Sequence, residues 1–151
     1  MALVGPGGVL FVCTYNRVRS PMAAGLMRKL YGQDALVDSC GLEPGSEVDA
    51  FAAAVMAEVG VDLLDHTPQR LEDLIADGRF TRIVTLSEEA EADLRGRDLS
   101  PAPMHWTIAD PAHCEDAREA RLEAYRLTRS QIHACILDQF GAPPAGAVVR
   151  L

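Results

Sequence analysis

The sequence predicts a single α/β domain in which a four-stranded parallel sheet is flanked by helices on both faces. The chain has 151 residues, the usual size of one domain, and 48% of them are hydrophobic, which is enough for a buried core. Strand-like and helix-like segments alternate along it without a linker, a repeat or a low-complexity stretch. We expect one domain over residues 1–151, with an irregular tail at 141–151.

The start of the chain carries the clearest signals for individual elements. The apolar run at residues 9–12 follows a Pro-Gly-Gly turn and predicts a buried first strand. The first helix is expected to begin near Ser20, which suits an N-cap, with Pro21 in its first turn. Gly32 is expected to end this helix.

The later elements are predicted from the same kinds of signal. Runs rich in apolar and β-branched residues predict three more strands, and apolar residues at helical spacing predict further helices. The strands are expected at residues 35–39, 82–86 and 104–108. One helix is expected to begin at Asp49 and end at Gly60, and the next to begin at a Thr67-Pro68 cap. A short helix is expected to begin at Ser87-Glu88-Glu89, because acidic groups favour the positive end of the helix dipole, and a long helix to cover about 115–140.

Charge and composition exclude several classes of function. The net charge is −8, whereas nucleic-acid-binding domains usually have a basic excess. An acidic chain can still bind an anion locally through backbone N–H groups and an arginine. No apolar run is long enough to cross a bilayer, and the first ten residues lack the cationic start of a signal peptide. We expect a cytoplasmic protein without nucleic-acid or membrane partners.

The segment at residues 13–21, Cys-Thr-Tyr-Asn-Arg-Val-Arg-Ser-Pro, carries the strongest chemical signal. It joins the first strand to the first helix, and ligands of open parallel sheets bind beyond the carboxyl ends of the strands. A loop that opens a helix there can aim several backbone N–H groups at one anion. We therefore predict a phosphate-binding loop after strand 1, made of Thr14, Tyr15, Asn16, Arg17, Val18, Arg19 and Ser20.

Each residue type in this loop suits a particular task. Cys13 is the only strong nucleophile, and a helix N-terminus beside a cation favours the reactive thiolate form of a cysteine. Arg19 has a planar guanidinium that can bind two phosphate oxygens at once. Ser20 is expected to cap the helix and to donate a hydrogen bond to the Cys13 sulfur. Asn16 tolerates the left-handed backbone that a curled loop requires.

The loop resembles that of the low-molecular-weight protein tyrosine phosphatases, which reads Cys-x5-Arg-Ser/Thr and usually continues with Pro. The resemblance covers nearly the whole chain, because residues 38–42, residues 61–66 and Asp110-Pro111 are similar to further segments of that family. It implies that Ser39 holds Asn16 and that Asp110 is the general acid.

The resemblance implies a two-step reaction on a phosphate monoester. A phosphotyrosine side chain of a protein is one such monoester. The Cys13 thiolate attacks phosphorus while Asp110 protonates the leaving oxygen, and water then hydrolyses the cysteinyl phosphate with Asp110 as the base. Arg19 and the loop amides stabilise the equatorial oxygens. No cofactor and no metal are expected. The chain contains neither Cys-x-x-Cys nor His-Glu-x-x-His, so a structural zinc site is not predicted either.

Four departures from the family pattern keep the substrate open, and one of them is Arg17, which is unusual at its place in the loop and is expected to be solvated. Val18 stands where many members have a second loop cysteine, which excludes a loop disulfide. Tyr15 replaces a common glycine and is expected to line the mouth of the site. Ala112 and His113 follow Asp110-Pro111 where phosphotyrosine-specific members often have aromatic residues.

Two alternative functions stay open on the sequence. Thioredoxin-coupled arsenate reductases share this fold and loop, but they need further cysteines, and residues 86–103 contain none. Cys114, four residues after Asp110, is the one candidate for a resolving thiol, whereas Cys40 and Cys135 suit buried positions. The second alternative is a non-catalytic module that binds an oxyanion.

Overall fold

Strands and helices alternate along the chain in the computed structural model, which describes residues 8–33, 35–76, 78–99 and 102–143. In chain order the elements are β1 (Gly8–Cys13), α1 (Arg19–Tyr31), β2 (Val37–Gly41), α2 (Ala50–Ala57), α3 (Leu71–Ile75), β3 (Phe80–Thr85), α4 (Glu88–Arg95), β4 (Met104–His105), a 3₁₀ helix (Pro111–His113) and α5 (Arg118–Phe140). None of the helices in these residues is both long and apolar enough to cross a membrane.

The four strands form one parallel sheet in the order β2-β1-β3-β4, so β1 lies between two neighbours. Successive side chains of β1 point to opposite faces. Phe11 and Cys13 belong to the larger core cluster, with residues of α1, α2 and α5, whereas Leu10 and Val12 pack against α3 and α4. Helices therefore cover both faces of β1, which explains its wholly apolar sequence. The predicted fold class is confirmed.

Two helix starts, those of α2 and α4, agree with the signals in the sequence. The Asp49 carboxylate accepts hydrogen bonds from the amides of Phe51 and Ala52 at the start of α2, and Ser87 accepts one from the amide of Ala90 in α4. Both predicted helix starts are confirmed, and in each the side chain accepts from amides that lie within one turn.

Two predicted caps are wrong. The N-cap of α1 is Val18 and that of α3 is Arg70, and neither makes a side-chain capping bond. Ser20 lies inside the first turn of α1, where its hydroxyl is engaged with other side chains of the loop. Thr67 lies outside α3 altogether, because the chain remains extended until Arg70.

Several element boundaries also differ from the predictions. β2 begins two residues later than expected, at Val37, and β4 contains two residues instead of five. α2 ends at Ala57, and Gly60 follows it with a φ of 78°. The long helix begins at Arg118. Of the predicted irregular tail, residues 144–151 lie outside the described part of the chain.

Candidate active site

The loop between β1 and α1 turns its carbonyl groups outwards. All five carbonyl oxygens of residues 13–17 accept hydrogen bonds from chain segments that surround the loop. The pairs are Cys13 O with Leu42 N (3.2 Å), Thr14 O with Glu43 N (2.9 Å), Tyr15 O with Gly45 N (3.0 Å), Asn16 O with His66 Nε2 (3.2 Å) and Arg17 O with Asp49 N (3.0 Å). Among the described residues, no acceptor engages the backbone N–H groups of residues 14–18. These groups are free to form a concave site for an anion.

Gly41 allows β2 to approach this loop closely. A Cβ atom at this position would lie 2.8 Å from the nitrogen of Asn16 and 2.8 Å from the carbonyl oxygen of Thr14. Both atoms belong to the backbone of the loop, so they cannot move aside as a flexible side chain would. The absence of a side chain at Gly41 therefore permits the observed curvature.

Asn16 holds the loop together from within. It is fully buried and has a φ of 54°, the left-handed conformation that the sequence predicts. Its Nδ2 donates to Ser20 Oγ (2.8 Å) and to Ser39 Oγ (2.9 Å), while its Oδ1 accepts from Gln69 N (2.8 Å) and from His66 Nε2 (3.1 Å). The Nε2–H of His66 is shared between this oxygen and the backbone carbonyl of Asn16, and all four hydrogen-bonding positions of the side-chain amide are occupied. The Ser39 contact is the one that the family resemblance implies.

Cys13 lies at the bottom of the loop with its sulfur against a hydroxyl. Its Sγ is 2.8 Å from Ser20 Oγ, and both side chains are buried. Ser20 Oγ accepts from Asn16 and lies 3.3 Å from the carbonyl oxygen of Cys40. Its single proton can therefore be donated either to that carbonyl or to a thiolate at Cys13.

Arg19 is oriented by the ends of the neighbouring strands. Its Nη1 donates to the carbonyl oxygens of Leu86 (3.1 Å) and Ile108 (3.0 Å). No described residue accepts a hydrogen bond from its Nε, and Nη2 faces Asp110 Oδ2 at 3.7 Å. Nε and Nη2 form the pair of donors that can bind two oxygens of one phosphate.

Asp110 begins the 3₁₀ helix beside Arg19. Its Oδ1 accepts from the amide of Ala112 (3.0 Å), and its Oδ2 lies 3.7 Å from both Arg19 Nη2 and His113 Nε2. Its side chain is 19% exposed, which leaves a path to a ligand. An oxygen of this carboxyl group is thus available for proton transfer next to the anion site.

These side chains share one open cavity of about 410 Å³. It brings together Cys13, Arg19 and Asp110, which are separated in sequence by as many as 97 positions. The full lining is Cys13, Thr14, Tyr15, Arg17, Val18, Arg19, Asp49, Glu89, Asp110, Ala112 and His113. Tyr15 is 52% exposed at the mouth.

None of the remaining cysteines lines this cavity. Cys40 is fully buried on the opposite face of the sheet from Cys13, in the cluster formed with α3 and α4. Burial, together with the charge of Cys13, raises the pKa of the Cys40 thiol far above its usual range. Cys114 points towards Asp116, with its Sγ 3.9 Å from Oδ2, and Cys135 lies on α5. Cys13 is thus the only cysteine that lines the cavity.

Sequence reasoning missed several contributors to the site. Asp49 was predicted only as a helix cap, yet it lines the cavity and accepts a hydrogen bond from Tyr125 (3.1 Å). Thr14 Oγ1 donates to Ser87 Oγ (3.0 Å), which ties the loop to the start of α4. His66 contacts Asn16 from fifty positions away. No local sequence pattern marks such long-range contacts.

The described part of the chain contains no group of side chains that could bind a metal ion. No three His, Cys, Asp or Glu side chains there are grouped so that they could hold a metal ion. Arg19 and the free N–H groups of the loop are the groups that can neutralise a bound anion.

Comparison with protein families gives a match over most of the chain. The model described as low molecular weight phosphotyrosine protein phosphatase matches residues 8–135, which span every element from β1 into α5 and include Cys13, Arg19 and Asp110.

Individual relatives include both reductases and phosphatases. The glutaredoxin arsenate reductase of Synechocystis sp. is 34% identical over 124 residues, which cover 82% of this chain and 88% of that protein. A solved arsenate reductase in its oxidized state has a TM-score of 0.74 at 28% identity, over 89% of this chain and 96% of that one. The arginine phosphatase YwlE from Geobacillus stearothermophilus has a TM-score of 0.73 at 26% identity, over 90% of this chain and 91% of that one.

Proposed function

The chain belongs to the low molecular weight phosphotyrosine protein phosphatase family, whose members are cysteine-based enzymes acting on phosphate or oxyanion substrates, and from this premise we propose that it is a phosphomonoester hydrolase. Its substrate is a phosphoprotein, including a phosphotyrosine protein, or a small phosphate monoester. It acts in the cytoplasm, where its four free thiols stay reduced.

In the first step, the Cys13 thiolate attacks phosphorus. The sulfur–phosphorus bond forms as the bond to the leaving oxygen breaks, and Asp110 transfers its proton to that oxygen. Nε and Nη2 of Arg19 and the loop amides bind the non-bridging oxygens, where negative charge accumulates. Because these donors are already held by the carbonyl contacts described above, little reorganisation is required.

In the second step, water attacks the cysteinyl phosphate. Asp110, now a carboxylate, accepts a proton from the water as the oxygen–phosphorus bond forms and the sulfur–phosphorus bond breaks. Ser20 donates a hydrogen bond to the departing thiolate, which can only accept. Inorganic phosphate leaves and both catalytic side chains return to their initial protonation states.

The observation that carries the proposal is the chemistry of the cavity that Cys13 lines. A carboxyl group, Asp110, faces it beside Arg19, and none of the other three cysteines lines it. Hydrolysis of a monoester requires a proton donor at this place, whereas reduction of an oxyanion requires a second thiol.

Release of p-nitrophenol from p-nitrophenyl phosphate in the presence of EDTA tests the proposal. We expect turnover by the wild type and none by Cys13→Ser. Cys135→Ser is the matched control, because Cys135 lies on α5 outside the cavity, and it should retain wild-type turnover. Binding of inorganic phosphate without turnover by the folded, reduced wild type would contradict hydrolysis and favour an oxyanion-binding module.

Arsenate reduction is the second candidate, and the 34% identity to a glutaredoxin arsenate reductase favours it. Here the Cys13 thiolate forms a sulfur–arsenic bond as one arsenate oxygen is protonated and leaves as water, and a second thiolate then attacks the Cys13 sulfur. As the disulfide forms, the sulfur–arsenic bond breaks and its electron pair stays on arsenic, which leaves as arsenite. The second thiol is Cys114, after movement of its loop, or an external thiol of the glutathione class.

Oxidation of NADPH with arsenate separates the two candidates. One reaction contains thioredoxin and its reductase, and the other contains glutaredoxin, glutathione and glutathione reductase. We expect no arsenate-dependent oxidation in either. Oxidation that Cys114→Ser abolishes and Cys135→Ser retains would establish an internal relay, whereas oxidation that depends only on glutathione and Cys13 would indicate an external thiol.

A further inference from the structure

Arg17 is a second cation at the mouth of the cavity that contains Cys13. Its side chain is half-buried and lines that cavity together with Tyr15. Its Nε donates to the carbonyl oxygen of Glu47 at 2.8 Å, which fixes the plane of the guanidinium group. Among the described residues, neither Nη atom has a hydrogen-bond acceptor or a carboxylate partner. The group is thus held in place with its outer donors unused.

Two of the three carboxylates that line the same cavity are already engaged. Asp49 accepts from two amides of α2 and from the hydroxyl of Tyr125, and Asp110 lies beside Arg19 and His113. Neither forms an ion pair with Arg17. The positive charge of Arg17 therefore has no compensating partner within the described part of the cavity.

Glu89 is the one cavity carboxylate without a hydrogen bond or ion pair among the described residues. It is exposed, and it lies in the first turn of α4, where the positive end of the helix dipole compensates its charge. No contact restricts its orientation as the Glu47 carbonyl restricts Arg17. Binding of a cation by Glu89 would carry the entropic cost of ordering this side chain. Binding of an anion by Arg17 would carry less of that cost, because the Glu47 carbonyl already orders the guanidinium group.

We propose that Arg17 binds a second anionic group of the substrate, so that the site prefers phosphate monoesters whose leaving group carries a carboxylate or a further phosphate. This inference rests on the proposed function, because the first anion is the phosphoryl group bound by Arg19 and the loop. A planar guanidinium with two unused nitrogens can bind such a group through paired hydrogen bonds. The two arginines then recognise the two charges of one ligand.

Gly45 leaves the space that the Arg17 side chain occupies. A Cβ atom at Gly45 would lie 2.4 Å from Arg17 Cδ and 3.0 Å from Arg17 Cγ. Gly45→Ala would therefore displace the arginine while keeping its charge. Comparison of Gly45→Ala with Arg17→Gln therefore distinguishes the effect of the position of the guanidinium group from the effect of its charge.

Binding of paired phosphonates tests the inference without requiring turnover. The probes are the 3- and 4-carboxybenzylphosphonates and the corresponding carbamoyl compounds, which match them in size but lack the second charge. Calorimetry gives the ratio of dissociation constants within each protein. For at least one isomer pair we expect the wild type to prefer the carboxylate by about three- to tenfold. The ratio should fall to about one in Arg17→Gln, and it should be reduced in Gly45→Ala.

Arg95→Gln is the matched control, since it removes an exposed arginine that is paired with Glu91 on α4 and should keep the preference. An equal affinity for both probes of each pair, a preference that persists in Arg17→Gln, or tighter binding of an aminomethyl probe would overturn the inference. If the preference is present but the corresponding phosphate esters are not hydrolysed, the proposed function fails and the inference stands. If the esters are hydrolysed but the carboxylate probes are not preferred, the inference fails and the proposed function stands.

Discussion

The Oγ atom of Ser20 lies 2.8 Å from the Sγ atom of Cys13, and both side chains are buried. The same hydroxyl accepts a hydrogen bond from Asn16, the residue that holds the loop from within. The Asn16 bond occupies a lone pair of the oxygen and leaves its proton free for the sulfur. The support of the loop and the stabilisation of the nucleophile are thus coupled through one hydroxyl group.

Ser20→Ala should slow hydrolysis of the cysteinyl phosphate, because the departing thiolate loses a charge-assisted hydrogen bond. We expect kcat for p-nitrophenyl phosphate to fall by roughly 10- to 100-fold, with a burst of p-nitrophenol equal to the enzyme concentration. Rapid-quench kinetics would measure both. Ser20→Thr should retain most activity, and Ser130→Ala, at an exposed site on α5, should behave as the wild type. An unchanged kcat in Ser20→Ala would contradict this role.

Asp110→Asn should impair substrates with poor leaving groups most, because an amide cannot supply the proton. We expect a loss in kcat/KM of about 10²- to 10³-fold with phenyl phosphate and a smaller loss with p-nitrophenyl phosphate. Asp116→Asn, an exposed residue beside Cys114, is the control. Equal losses on both substrates would indicate that Asp110 positions Arg19 and does not transfer a proton.

Gly41→Ala should distort the phosphate-binding loop, because the new Cβ would lie 2.8 Å from backbone atoms of Thr14 and Asn16. We expect a loss of about 1–3 kcal/mol in the free energy of unfolding, measured with urea, and much weaker binding of inorganic phosphate. At Gly96 the nearest atom to an added Cβ is 3.6 Å away, so Gly96→Ala should change neither quantity. Normal phosphate binding by Gly41→Ala would be inconsistent with a tight contact.

His66 should make stability depend on pH. Burial lowers its pKa below the usual value of about 6.5, so between the folded and unfolded pKa values the unfolded chain binds more protons. The stability that neutral His66 contributes is fully present above pH 6.5. It decreases as the pH falls from the unfolded pKa towards the lower folded pKa. Urea unfolding at pH 7.5 and 5.5 should show a smaller difference in His66→Gln than in the wild type.

His133 is the control for this pH dependence, since burial lowers its pKa as well but it lies on α5. His133→Gln should remove only the pH dependence of stability that His133 itself contributes. The variant carrying both His66→Gln and His133→Gln should therefore have a smaller pH dependence than either single variant. If His66→Gln retained the full wild-type difference, another group would have to be responsible.

Arg129 should contribute far more to stability than its neighbour Arg126. Arg129 is buried on α5, where its Nη1 donates to the carbonyl oxygen of Val55 and to Glu58. Arg129→Met should lower the free energy of unfolding by about 1–3 kcal/mol, because the buried carbonyl of Val55 loses its donor and Glu58 keeps only Arg126. Arg126→Met, at a more exposed pair, should cost under about 1 kcal/mol. Equal losses in urea unfolding would contradict this difference.

Short-range signals in the sequence predicted much of the fold. The apolar run of β1, the helix starts at Asp49 and Ser87, and the alternation of strands and helices were enough to predict the parallel sheet. The left-handed Asn16 could also be predicted, because its conformation depends on its own side chain and immediate neighbours. The places where this reasoning failed were also local: Ser20 and Thr67 were taken for helix caps, although the contact of Ser20 with the Cys13 sulfur was predicted.

The tertiary structure alone decided which side chains meet across long separations. Thr14 contacts Ser87, Gln69 donates to Asn16, and Cys40 lies on the opposite face of the sheet from Cys13. The cavity unites the loop with Asp49 and Asp110 only because the carboxyl ends of parallel strands share one edge. Capping and periodicity depend on residues within a few positions, so the sequence alone determined the elements and the loop. Contacts across 30 to 100 positions form only when those elements pack, and they decide the charges and hydrogen bonds that surround Cys13.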